Sequence, residues 1–310
     1  MKILVDVDAL ERDGRITPEV AAELRSGAAR DVGSTAISFV LGFGAVSVAA
    51  GLLALTQSLH LGAVLGAAFA GGGWAAARAL GPVWERMGSI WIIVGALMFT
   101  GSVAALIETP LPATLVATAL LFAFAVVARS RLLIVFAALS LEGAVGGGTG
   151  YWHASYAVIV REPTLTIALF TLVGTAAFLL TQRLSADYEP LALTFARISV
   201  VVVNFGFWIG SLWGDTPGAY LRDAAQTWGD TPQLPALDFV VAWAVALVAA
   251  GAWAASQGRR FLVNAVAVFG AIHAYTQWFE RLGANPLTVV VGGLFAIAVG
   301  LGLWRLSARS

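Results

Sequence analysis

Of 310 residues, 59% are hydrophobic and only 12% charged, and the mean hydropathy is +0.85, far from the roughly one-quarter charged residues of soluble globular domains. The 18 basic and 18 acidic side chains cancel and cysteine is absent, so nothing points to nucleic acid, and disulfides, thiolate metal sites and cysteine chemistry are excluded. These figures describe an all-α, polytopic integral membrane protein whose surroundings are the lipid bilayer. Among the basic residues only Lys2 is lysine, a usage that points to a GC-rich bacterial genome and hence to the bacterial inner (plasma) membrane.

Residues 1–34 read as a cytoplasmic helical hairpin. Leu4 to Glu11 forms a short helix, Asp13-Gly14 a turn, and Thr17-Pro18-Glu19 supplies an N-cap, a proline at the first helical position and an acid in the first turn of a second helix running to about Arg30. The charged opening does not resemble a cleavable signal peptide. Apolar runs long enough to cross a core of about 30 Å then recur at about 35–56, 61–79, 88–107, 111–128, 131–151, 164–182, 191–213, 237–256, 261–279 and 286–304. Ten crossings leave both termini in the cytoplasm.

Loop charges support that count. With the N-terminus inside, Lys2, Arg12, Arg15, Arg25, Arg30, Arg78, Arg86, Arg129, Arg131, Arg183, Arg197, Arg259, Arg260, Arg305 and Arg309 lie on the inner side, and Arg161, Arg222 and Arg281 on the outer. Basic residues concentrate on the cytoplasmic side of membrane proteins, and deleting the fifth crossing would invert everything after it. The outer loop 214–236 holds a direct repeat, Trp213-Gly-Asp-Thr-Pro217 and Trp228-Gly-Asp-Thr-Pro232. It reads first as two helix starts, with Asp or Thr as cap and Pro at the first position. The alternative is a pair of turns presenting Asp215 and Asp230 to a cation or partner.

Polar groups at membrane depth are expensive and mark candidate functional sites. The most informative stretch is Ser140-Leu-Glu142-Gly-Ala-Val-Gly-Gly-Gly-Thr-Gly150, in which an acid adjoins a glycine run that weakens a helix by about 1 kcal/mol per residue. It reads either as a broken helix with Glu142 near mid-membrane, or as a short helix ending at Leu141 with Glu142 at its outer mouth and the glycines outside. Asn204 falls near the middle of the seventh span and shares a face with Arg197. His273, Gln277 and Glu280, spaced i, i+4 and i+7, share a face of the ninth. The candidate solute- or ion-binding residues are therefore Glu142, His273, Asn204, Gln277 and Arg197, each set against a structural alternative: helix–helix hydrogen bonding for Asn204 and His273, a snorkelling side chain for Arg197, and an interfacial position for Gln277. Gly62, Gly66 and Gly71 to Gly73 are read as a packing surface.

The pattern Leu10-Glu-Arg-Asp-Gly-Arg-Ile16-Thr-Pro-Glu-Val-Ala-Ala-Glu-Leu24, with the ending Tyr275-Thr-Gln-Trp-Phe-Glu-Arg-Leu-Gly283 and Leu303-Trp-Arg305, resembles the bacterial predicted membrane proteins carrying the domain of unknown function 2157. That likeness covers about a quarter of the chain and implies an architecture without an assigned activity or catalytic residue. Ten short-looped spans in about 300 residues are also similar in plan to the drug/metabolite transporter superfamily, with two five-span halves forming an inverted repeat, although residues 35–151 and 164–304 do not match each other in sequence.

No phosphate-binding loop, H-E-x-x-H or G-x-S-x-G is present, and neither cofactor nor metal is implied. The leading expectation is a transporter or binder of a small solute, proton or cation. The alternative is a scaffold, assembly factor or accessory subunit that contacts a protein partner through the 214–236 loop or the 1–34 hairpin.

Overall fold

The computed structural model describes residues 7–24, 40, 43–44, 47–52, 54–55, 57–79, 82–152, 155–220, 233–283, 285–294 and 297. Outside them lie half of the expected first span, the second N-terminal helix beyond residue 24, His153, the loop from 221 to 232 with Asp230 and the second Trp-Gly-Asp-Thr-Pro repeat, and the end of the last span. The chain divides into two compact units, Met1–Leu133 and Ile134–Ser310.

In the first unit, α1 (Val7–Arg12) ends in a turn at Gly14, whose φ of +68° suits glycine. A helix over 18–24 then starts where the sequence places it, with the amide of Val20 donating to Thr17 Oγ1 at 3.4 Å. The unit is built on α2 (Leu59–Ala79) and α3 (Pro82–Ala105). They approach backbone to backbone along Gly66, Ala70 and Gly73 of α2 and Gly88 and Gly95 of α3. A Cβ on Gly95 would overlap the Ala70 backbone, and one on Gly73 would lie 2.6 Å from the Gly88 carbonyl. Small residues allow this contact where lipid supplies no hydrophobic drive between helices. Gly71 and Gly72 are not part of it, since nothing lies within 4 Å of their Cβ positions. The helix α4 (Pro110–Ala128) packs on α3, with Phe99 and Phe124 edge to face at 5.8 Å.

The second unit holds α5 (Arg131–Ala144, continuous with the first unit at its start), α6 (Pro163–Leu180), α7 (Glu189–Trp213), α8 (Ala236–Ser256) and α9 (Arg260–Leu282). Side-chain pairs show that α6 to α9 run antiparallel in succession. Thr166 meets Gly206 and Gly174 meets Ser199, Asn204 bonds Trp243 and Gly210 meets Phe239, and Trp243 meets His273. The C-terminus of α6, the N-terminus of α7, the C-terminus of α8 and the N-terminus of α9 thus share one end of the bundle. The central helix, α7, packs against both α6 and the α8–α9 pair, and among the described residues α6 meets α8 at Phe178 and Trp253, edge to face at 6.3 Å.

Among the described residues, six helical segments are long and apolar enough to cross a membrane: α2, Met87–Ala105 of α3, α4, α6, α7 and α8. Their many outward-facing apolar side chains, such as Leu172 and Val248, fit lipid contact. The chain is thus a helical membrane protein. The ninth expected span forms α9, whose His273, Gln277 and terminal charges make it less apolar.

The segment expected to be helical to residue 151 departs from expectation. The helix α5 stops at Ala144, and the glycines belong to β1 (Gly147–Trp152), which pairs antiparallel with β2 (Ser155–Val160), Gly147 opposite Val160 and Trp152 opposite Ser155. Gly146, at φ +87°, turns the chain out of the helix, and Val-Ile-Val in β2 favours a pleated strand.

Candidate functional site

At the hairpin end of the second unit three buried acids surround the first turn of α6. Glu142, in the last turn of α5, is 7% exposed and accepts a hydrogen bond from Thr166 Oγ1 at Oε1, 2.9 Å away. Its Oε2 is buried and has no partner. Gly147 lies directly against this side chain, in space that a Cβ would take from Glu142 Cγ. Glu162, wholly buried at the N-cap of α6, accepts from the backbone N–H groups of Gly218 at 2.6 Å and Tyr220 at 2.5 Å, one on each carboxylate oxygen. Asp215 Oδ2 accepts from the amide of Thr164 at 2.8 Å, while the Asp215 backbone pairs with Leu234 in an isolated antiparallel bridge. Proline at N1 has no N–H, so Asp215 takes the first orphan donor of α6.

Asp215 therefore caps a helix that begins about fifty residues earlier in the chain; most of the helix expected just after it, over 218–227, lies outside the described residues. Together Glu162 and Asp215 fasten residues 215–220 across the start of α6. Among the described residues no group of three or more acidic, histidine or cysteine side chains could hold a metal ion. Glu162 and Asp215 are engaged with backbone N–H groups, and Glu142 with Thr166 through one oxygen only.

At the other end of the unit, α6 and the α8–α9 pair flank α7, with Phe178 and Trp253 edge to face at 6.3 Å, and enclose a cavity of about 730 Å³, within the range of small-molecule sites. Small residues at Gly174, Ala196, Ala246 and Ala250 leave the space, and Phe170, Phe207 and Trp243 close its deep end. Arg197, Arg259 and Arg260 line its open end. The guanidinium of Arg197 lies over the Phe261 ring at 5.2 Å and that of Arg259 over Phe178 at 5.5 Å, within cation–π range.

The five sequence-derived candidates fall into three places. Arg197 and Asn204, expected on one face of α7, both line the cavity. Asn204 also bridges helices: its Oδ1 accepts from Trp243 Nε1 at 2.8 Å and its Nδ2 donates to the Val200 carbonyl at 2.8 Å. His273 and Gln277 sit one turn apart on α9, with His273 Nδ1 and Gln277 Nε2 buried and unpartnered, and the His273 ring meets Trp243 edge-on at 4.7 Å. Neither lines the cavity. Glu142 stands apart, one helical turn beyond Phe170 through Thr166. Between it and the cavity lies an apolar plug of Ala138, Phe170 and Val202, with Leu141 and Val203 packed against it.

Sequence reasoning passed over Glu162, Arg259 and Arg260. For Glu162 the available signal was its place immediately before a helix-initiating proline. The two arginines registered only as inner-side charges. A comparison of the chain with models of protein families, with curated proteins and with solved structures finds no match.

Proposed function

We propose that this protein is a ten-span bacterial inner-membrane protein, with both termini in the cytoplasm, that binds and moves a small solute through its second unit. Membership in the group carrying the domain of unknown function 2157 belongs to the same proposal and rests on the Leu10–Leu24 pattern and the chain's ending. The observation that carries the functional reading is a cavity open at the end bearing Arg197, Arg259 and Arg260 and stopped by the Phe170 plug. That is the form expected of one state of an alternating-access carrier. All the charged side chains lining the cavity are basic, which favours an anionic solute over a cation. The basic-inside rule sets this open end toward the cytoplasm.

Glu142 lies on the far side of the plug. A buried carboxyl group with one free oxygen beside a threonine hydroxyl is suited to accept a proton when the plug opens, so we assign it the coupling role and the cavity the solute.

The absence of cysteine makes a clean test available. Single cysteines at Ala246, in the cavity, and at Thr164, beyond the plug, are to be challenged with a membrane-impermeant maleimide from either face of sealed vesicles. A carrier labels each position from a different side, and reaction at one position suppresses reaction at the other. Independent labelling of the two would instead support a static scaffold that works through the 214–236 loop. In reconstituted vesicles Glu142→Gln is expected to abolish solute-linked proton uptake; uptake at the wild-type rate would remove Glu142 from the mechanism.

A further inference from the structure

The cavity's chemistry defines the solute class further, on the premise that the cavity is the binding site. Of the polar side chains on its inner walls Asn204 and Ser199 are already engaged, and Thr171 and Thr175 of α6 add two hydroxyls. Both ends of the Asn204 amide are bonded within the protein, and Ser199 Oγ donates to the Phe195 carbonyl at 2.9 Å. A sugar, amino acid or other polyhydric solute would find few free partners there, whereas an apolar chain would lie against Phe170, Leu247 and Trp243.

The open end has the opposite character. Arg197, Arg259 and Arg260 converge there, and among the described residues none of them is held by a carboxylate; aromatic faces hold two of them instead. Stacking on a ring leaves the N–H edge of a guanidinium free, and that edge matches phosphate oxygens in pairs.

Length and rim agree with this division. From Leu193 to Phe207, both on the cavity wall, α7 rises about 21 Å, and one leaflet of hydrocarbon is about 15 Å, half of a core of about 30 Å. Leu179, Trp253 and Phe261 line the cavity and are exposed, so the rim of the open end carries apolar side chains beside the arginines.

We infer that the cavity binds an anionic membrane phospholipid, its phosphate among Arg197, Arg259 and Arg260 and one acyl chain directed at Trp243, with the second chain left outside it. Basic pockets between membrane helices on the cytoplasmic side recognise lipid phosphates in this way.

The test uses the full chain in detergent micelles supplied with equal phosphatidylglycerol and phosphatidylcholine, with bound lipid read by native mass spectrometry. One phosphatidylglycerol is expected to be retained at least about tenfold over phosphatidylcholine, which offers the same phosphate but brings a choline cation that the arginines repel. The combined change Arg197→Gln, Arg259→Gln and Arg260→Gln should bring the two lipids level, and Ala250→Trp, which fills the cavity and keeps the arginines, should remove both. If the triple variant does not fold, Arg197→Gln alone must still lower the ratio. Equal retention by the wild type, undiminished phosphatidylglycerol in the arginine variants, or displacement of the lipid by inorganic phosphate would each overturn the inference. So would a dimer that Ala250→Trp dissociates. The maleimide experiment is independent of lipid identity, so an alternating cavity that ignores lipid would overturn this inference and leave the carrier reading standing.

Discussion

Replacing Glu162 by alanine tests how the loop at the hairpin end is held. In the native chain its buried carboxylate receives two backbone N–H groups, those of Gly218 and Tyr220, at 2.6 and 2.5 Å. A hydrogen bond to a charged group contributes about 1.5–3 kcal/mol, so losing both corresponds to about 3–6 kcal/mol of local stability. That converts to a roughly 10²- to 10⁴-fold rise in the opening equilibrium of the segment. Amide hydrogen exchange read by mass spectrometry on peptides covering 214–220 measures this opening, because the two donor amides are themselves reporters. The isosteric Glu162→Gln retains one acceptor oxygen and turns an N–H against a donor on the other side, so it should lie between wild type and alanine. Asp215→Ala frees the Thr164 amide and loosens the same segment. The double variant should therefore fall short of the sum, as expected for neighbours in one network. A fall in protection below about tenfold in Glu162→Ala would refute the reasoning, since it would mean that packing of Tyr220 against Arg161 and Gly146 holds the loop without the carboxylate.

Two further substitutions test the helix contacts. Gly95→Ala places a methyl group in the backbone of α2 and should lower the unfolding midpoint in mixed detergent micelles by the equivalent of about 1–3 kcal/mol. Gly71→Ala, which meets nothing within 4 Å, should leave it unchanged or raise it by about 0.4–1 kcal/mol. Asn204→Leu leaves the indole N–H of wholly buried Trp243 without an acceptor and should destabilise by about 1–3 kcal/mol. Trp243→Phe made on that background should cost less than on the wild type, and equal costs would dissociate the pair.

The helical architecture is legible because a membrane span is a property of a local run. Leu59–Ala79, Pro110–Ala128 and Ala236–Ser256 begin one or two residues before the expected starts at 61, 111 and 237, and end where expected. Thr17 caps as its Thr-Pro-Glu context implies. The glycine seam is only partly legible: Gly66 and Gly73 meet α3 and Gly71 and Gly72 do not, because which face of a small-residue helix is covered depends on where the partner lies. For residues 140–160 the sequence leaves a choice between a broken helix and a short helix with an external loop. The structure is nearer the second, with the helix running to Ala144. The role of the glycines is not a local property, since Gly147 is needed against the side chain of Glu142 and Gly146 against Arg161 and Tyr220. Asp215 makes the same point over a longer distance. Its Asp-Thr-Pro context signals a cap for the residues just after it, and the amide it satisfies belongs to Thr164.

The site is less legible than the fold for an electrostatic reason. An acid at membrane depth stands out in a sequence, which singles out Glu142, while an arginine near a span end is ordinary and counts only as an orientation signal. The cavity that gives Arg197, Arg259 and Arg260 a common neighbour arises from the way α6 and the α8–α9 pair flank α7, and spacing along one helix carries no trace of it. Helical spacing puts Arg197 and Asn204 on one face, yet what that face borders is a tertiary fact. The outcome divides the chemistry between two sides of one apolar plug. On the proposed reading the proton acceptor, Glu142, lies beyond Phe170, and the arginines that would attract an anion lie before it. The two classes of variant should therefore separate: Glu142→Gln should alter proton uptake with phosphatidylglycerol still retained, and the arginine changes should release the lipid with the Glu142–Thr166 contact intact. Loss of lipid in Glu142→Gln would mean that the plug does not insulate the two groups.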